Sequence, residues 1–209
     1  MAEKGQTEKN CNLGNTNVTD NEVGEKREEE KGNSNIGDAY VDLKDFKNAI
    51  NFLQINLKFL KEVGDRAGKG IEYCNLGNAF RNLEDFQKAI EYHERDLKIS
   101  KEVGDRAGEG KAYGNLGNAL RNLGDFQNAI EYHERDLKIS KGGEDRAGDG
   151  IAYGNLGNAF RNLGDFQKAI EYHERDLKIS KKWKTGQEKE KRTAILATLM
   201  TVLEISRKP

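Results

Sequence analysis

Proline is nearly missing: the single one is Pro209, the last residue. No helix interior therefore meets a ring that removes an amide donor or clashes with the preceding turn. Cysteine is scarce too. Cys11 and Cys74 cannot build a disulfide framework, and two free thiols fit a reducing compartment. Long apolar runs are absent. The longest apolar-leaning stretch, Ala194 to Leu203, is about half of the roughly 20 residues that a membrane-spanning helix needs. The opening residues, Met-Ala-Glu-Lys-Gly-Gln-Thr, hold no apolar centre and do not read as a signal peptide. The expectation is a soluble, cytoplasmic chain with no membrane span. An excess of one charge is missing as well. The 35 basic and 36 acidic residues leave a net charge of −1, which argues against nucleic-acid binding through bulk charge.

What is present is repetition. Tyr-Gly-Asn-Leu-Gly-Asn-Ala stands at residues 113–119 and again at 153–159, with Tyr73-Cys74-Asn75-Leu76-Gly77-Asn78-Ala79 before them. Leu76, Leu116 and Leu156 fall 40 residues apart. The continuation repeats as well: Arg-Asn-Leu, Asp-Phe-Gln, then Ala-Ile-Glu-Tyr-His-Glu-Arg-Asp-Leu-Lys-Ile-Ser-Lys. A fixed period of about 20–50 residues marks a solenoid, in which each unit buries its apolar face only by stacking on neighbours.

Within one unit the spacing predicts two helices, about Arg106 to Leu123 and about Phe126 to Lys141. Tyr113, Leu116, Gly117, Leu120 and Leu123 share one face of the first. Phe126, Ala129, Ile130, His133 and Leu137 mark the inner face of the second, with Tyr132 and Ile139 beside it. Gly124-Asp125 reads as a glycine stop followed by a capping aspartate, and Gly104-Asp105 and Gly64-Asp65 repeat the device. Gly117 is expected to let the partner helix approach at Ala129. Gly108 and Gly110 have no packing reason in the sequence, so fraying is expected at the start of each first helix.

Residues 1–30 are polar and read as a disordered tail, with Cys11-Asn12-Leu13-Gly14-Asn15 as a decayed repeat fragment. Residues 31–66 form a divergent first unit, and residues 67–186 hold three near-identical units. Residues 187–209 are expected to form a C-terminal capping helix and tail. Ile195, Leu196, Leu199, Met200, Val202 and Leu203 give it a broad apolar side. A membrane-surface helix fits less well, because its polar side is not consistently basic.

Helical hairpins carrying Tyr113, Leu116-Gly117, Leu120, Ala129 and His133 resemble tetratricopeptide repeats, whose usual period is about 34 residues. Tyr stands here in place of the family's Trp, and the closing Pro is absent. The longer period, with Gly-Asp-Arg-Ala, Gly-Asn-Leu-Gly-Asn and Tyr-His-x-x-Asp-Leu, resembles the Leu-Gly-Asn-rich Pins/LGN family of G-protein signalling modulators. The resemblance covers about residues 31–186. It implies an all-α solenoid of antiparallel hairpins, a right-handed superhelix, and a concave groove that binds partner segments. That family's Gα-binding motifs have no counterpart in residues 181–209, so Gα binding is not carried over.

On the first helix, Lys111, Gly114, Asn115, Asn118, Arg121 and Asn122 form a stripe opposite the apolar face. Its equivalents are Asn75, Asn78, Arg81 and Asn82, and Asn155, Asn158, Arg161 and Asn162. Stacking aligns these into asparagine and arginine ladders. Asparagine amides bond a peptide backbone of any sequence, and arginine grips carboxylates. Gly114 and Gly154 are expected to leave room for a ligand chain. The plainer alternative is that asparagine only solvates an exposed face, although it is a mediocre helix former. In the first unit Asp38, Val41 and Asp42 stand at these positions, so the arginine ladder has three rungs.

His93, His133 and His173 occur once per unit, a full repeat apart, which suits packed structural histidines rather than a zinc site. His133-Glu134-Arg135-Asp136-Leu137 is near a kinase catalytic loop, but the extra Glu and the lack of a glycine-rich loop reject that reading. No nucleophile–base pair or phosphate loop is found. The expectation is therefore a non-enzymatic adaptor, without cofactor or metal, that holds an extended or helical, acidic partner segment. The alternative is a regulatory or structural fragment of a larger array with no autonomous peptide binding.

Overall fold

The computed structural model describes residues 44–142, 146–183 and 193–201. The expected tail and the first helix of the first unit lie outside the described residues. Seven helices follow one another: α1 (Phe46–Glu62), α2 (Arg66–Asn82), α3 (Phe86–Val103), α4 (Arg106–Leu123), α5 (Phe126–Gly142), α6 (Arg146–Leu163) and α7 (Phe166–Trp183). A further helical segment covers residues 193–201, and no strand occurs among the described residues.

Aspartates start the helices. Asp45, Asp65, Asp85 and Asp105 each accept a hydrogen bond from the backbone N–H three residues on. Asp125 and Asp165 do the same for Asn128 and Lys168. Each bond satisfies one of the amides that a helix start leaves unpaired. Gly124 ends α4 at φ +92°, and the next N–H, of Asp125, reaches Leu120 O at 2.9 Å. Glycine holds that left-handed geometry without a Cβ penalty. The same turn between α2 and α3 places Glu84 at φ +61°, so there the penalty is carried.

Consecutive helices pack as hairpins and the hairpins stack. The first helices α2, α4 and α6 also touch one another, whereas the second helices α3, α5 and α7 of adjacent units do so at most marginally. First helices therefore line the tighter, inner side of the array. Ala112, Leu116 and Ala119 of α4 and Ala129 of α5 are fully buried. Leu123, expected on the inner face, is instead half exposed at the last turn of α4, at 50%. Leu196 and Leu199 join the core cluster of α6 and α7, so the terminal segment covers the apolar face that the last unit cannot cover itself.

The glycines differ from expectation in their partners. A methyl group built on Gly117 would stand 2.5 Å from His133 Cε1, so the close approach is to an imidazole rather than to Ala129. Gly77 and Gly157 meet His93 and His173 in the same way. Gly110 and Gly108, for which the sequence offered no reason, are also packed against. A methyl on Gly110 would lie 3.1 Å from Ile139 Cγ2, and one on Gly108 would run into the capping Asp105 carboxylate first and lie 2.9 Å from Ser100 Oγ.

Two stability predictions follow from the turns and the imidazole contact. Gly117→Ala gains about 1 kcal/mol of helix propensity but overpacks a fully buried ring, for a net loss of about 1–3 kcal/mol in urea unfolding. Gly142→Ala, with open space around it, serves as the neutral control. Glu84→Gly relieves the left-handed strain and should raise stability by about 0.5–1 kcal/mol; a loss would contradict the turn geometry.

Candidate inner groove

The inner side carries the stripe. Asn75, Asn115 and Asn155, with Asn78, Asn118 and Asn158, are part-buried, while Asn82, Asn122 and Asn162 are exposed. Arg81 and Arg121 are part-buried and Arg161 is exposed. The three guanidiniums lie close enough that Arg161 and Arg81, after burial, push the Arg121 pKa down. The Nε atoms of Arg81 and Arg121 are buried without a hydrogen-bond partner. None of the three arginines forms an ion pair among the described residues. The asparagines are less uniform than a ladder of free amides. Asn115 donates to Cys74 Sγ of the preceding unit at 3.5 Å, and Asn82 donates to its own backbone at Asn78 O at 3.0 Å.

Between successive units the groove deepens into notches. The notch bordered by α2, α3 and α4 has a volume of about 220 Å³ and holds Cys74, Asp96 and Lys111. The next, bordered by α4, α5 and α6, has about 690 Å³ and holds Gly114, Asp136 and Ile151 at the equivalent positions. Sequence reasoning missed these carboxylates as groove residues. Asp96 and Asp176 are buried, and burial pushes the Asp96 and Asp136 pKa values up to about 6. The signal was available: Asp136 follows His133 by three residues, and so shares its inward side of α5. A methyl group on Gly114 would lie 2.8 Å from Asp136 Oδ2, so the space left by this glycine is taken first by the protein's own carboxylate. Gly154 faces Asp176 in the same manner, at 3.2 Å from Oδ2.

Behind the groove, His93 and His133 are completely buried, and neither ring nitrogen of either has a hydrogen-bond partner. Burial pushes both pKa values down to about 4, helped by Arg81 and Lys111 at His93 and by Arg121 at His133. These imidazoles are neutral spacers at pH 7. Among the described residues no group of three or more His, Cys, Asp or Glu is placed to hold a metal ion. No helix among them is long and apolar enough to cross a membrane.

Stacked helical hairpins with a polar inner groove define an α-solenoid built for interaction surfaces. Three sequence-family profiles, each described as Tetratricopeptide repeat, match residues 31–54, 75–107 and 108–182, and the chain belongs to the tetratricopeptide-repeat proteins. A comparison with curated protein sequences finds no significant match. Solved structures are similar at the level of the fold. BtubC (BKLC) from P. vanneervenii aligns with TM-score 0.75 and 23% identity, over 83% of this chain and 72% of that one. A signal transduction ATPase with numerous domains and a tetratricopeptide repeat sensor, from Pyrococcus horikoshii, aligns with TM-score 0.76 and 20% identity, over 83% and 27%. The apo form of RapI aligns with TM-score 0.77 and 20% identity, over 84% and 64%. The chain thus spans about a quarter of the second protein and under two thirds of the third.

The two kinds of buried titratable group give opposite pH slopes. The folded-state pKa of His133 lies below the ordinary 6.5, so acidification protonates the unfolded chain first and stability falls between pH 6.5 and 4. The folded-state pKa of Asp136 lies above the ordinary 3.8, so its ionisation costs stability above pH 6 and is relieved towards pH 4. Asp136→Asn removes only the second effect. In urea unfolding the variant should be more stable than the parent at pH 7 by about 1 kcal/mol, reduced from the full shift because the groove keeps part of the carboxylate wet. The difference should vanish near pH 4. Equal stabilities at pH 7 would contradict the assignment.

Proposed function

We propose that the chain is a non-enzymatic scaffold that holds an extended or helical partner segment, bearing acidic side chains, along its inner groove. The observation that carries this reading is the run of Arg81, Arg121 and Arg161. They are three mutually repelling guanidiniums, two of them part-buried, and none has a carboxylate partner among the described residues. Partly desolvating like charges side by side is unfavourable, and acidic groups presented along the groove would relieve it. Part-buried asparagines such as Asn118 and Asn158 supply donors and acceptors for a partner backbone whatever its sequence. Among the described residues the rings of His93 and His133 hydrogen-bond to no nucleophile, and binding rather than turnover is the reading that the groove supports.

A second reading is favoured by the lengths of similar proteins. The Pyrococcus horikoshii protein is a signal transduction ATPase with a tetratricopeptide repeat sensor, and this chain spans only 27% of it. On that reading the chain is a sensing or structural part of a larger cytoplasmic signalling array and binds no peptide by itself.

Fluorescence polarisation with labelled peptides separates the two. Peptides carrying spaced Glu residues should bind, and their Gln counterparts should bind less well. Arg121→Gln should weaken the Glu peptides about tenfold, and added salt should weaken them further. Unchanged affinity in Arg121→Gln would remove the arginine ladder from the recognition surface, and no binding at all would favour the second reading.

A further inference from the structure

One position recurs on the second helices at intervals of 40 residues: Asn56, Asp96, Asp136 and Asp176. The chain satisfies the first two from within. Asn56 Nδ2 donates to Glu72 Oε1 of the next unit at 2.7 Å, with both residues buried. Asp96 accepts from Ser100 Oγ at 3.5 Å and faces the ammonium of Lys111, which comes from the next unit, while Cys74 fills the space beside it.

At Asp136 the equivalent serine, Ser140, donates to the Asp136 backbone carbonyl at 2.9 Å rather than to the carboxylate, and the other aids are gone. Ala152 stands where Glu72 would serve, Ile151 stands where Lys111 would, and Gly114 replaces Cys74. No hydrogen bond or ion pair reaches the Asp136 side chain among the described residues, and the notch is about 690 Å³ against 220 Å³. Lys111 and Arg106 also border this notch, but among the described residues Lys111 interacts with Asp96 and Cys74 of the preceding notch, and Arg106 pairs with Glu109 at 2.7 Å. A part-buried carboxylate left without a partner is unfavourable, and a cation entering from the open side would relieve it. A lone carboxylate offers too few ligands for a metal ion. The apolar walls, Ile139 and Ile151, suit an aliphatic stem.

We propose that the Asp136 notch is a subsite for a lysine or arginine side chain of the bound partner. The cationic head rests on the Asp136 carboxylate and the stem lies between Ile139 and Ile151, in the role that Lys111 fills one unit earlier. The inference builds on the groove reading above and refines the partner: a segment of mixed charge, acidic where it passes the arginines and basic at this notch. The neighbouring notch, already supplied with Lys111, takes no such side chain.

The test uses a small probe, so that it does not depend on finding the partner. Nα-acetyl-lysine amide is titrated into the ¹⁵N-labelled full chain, with Nα-acetyl-norleucine amide as the uncharged control. The lysine probe should move the Gly114 and Ile139 amide resonances saturably, and the norleucine probe should not. Asp136→Asn should weaken the effect about tenfold or more, and Ile151→Lys, which restores an internal cation, should do the same. Equal response to both probes, shifts confined to other residues, or an unchanged response in Asp136→Asn would overturn the subsite. Acidic-peptide binding through Arg121 would survive that outcome. Conversely, a lysine response without any acidic-peptide binding would keep the notch as a cation site and remove the groove reading.

Discussion

An imidazole pressed against a glycine backbone sets the spacing of each hairpin. His93 lies on Gly77, His133 on Gly117 and His173 on Gly157, with no room for a methyl group between them. That contact fixes how closely the two helices of a unit approach, and so how far the first helices project inward. It also decides the protonation state. The His93 and His133 rings, with no exposure and no hydrogen-bond partner, are held neutral, and a charged ring would be strongly disfavoured there. His93 and His133 thus act as shaped, uncharged fillers, and the chemistry of the unit moves one layer forward to the groove.

In that layer two signs of charge are offered at different depths. The arginines sit along the first helices, and the carboxylates of Asp96 and Asp136 rise from the second helices into the notches. Arg81, Arg121 and these carboxylates are at least partly withdrawn from water, which makes each more discriminating than an exposed charge of the same sign. The copies are near-identical in sequence, yet their notches differ threefold in volume. At the notch Gly114 stands for Cys74, Ile151 for Lys111 and Gly142 for Glu102. Duplication supplies the frame, and scattered changes individualise the positions along it.

Much of the fold is legible in the sequence. The 40-residue period, the Gly-Asp turns and the 3.6-residue spacing of Leu116 and Tyr113 give the helix limits within a residue or so, because local rules and stacking agree there. Two features were not legible. Gly110 and Gly117 look costly in isolation, since their reasons are side chains from another helix, Ile139 and His133, whereas Gly108 is packed first by the local cap Asp105. The acidic notch was hidden for a related reason. Asp136 reads as an ordinary solvated charge until α6 is brought beside α5, and pairing between units is not encoded in any single window. The repeated asparagines suggest a uniform stripe, but its members divide their bonds between Cys74 and the helix's own backbone.

The packing account is tested most directly by following the imidazole C–H resonances of His93 and His133 through an acid titration in the NMR spectrum. Both rings should stay neutral down to about pH 4, or until the chain unfolds. Midpoints near the ordinary value of about 6.5 would mean that water reaches the rings, and that the glycine contact shaping the groove is absent.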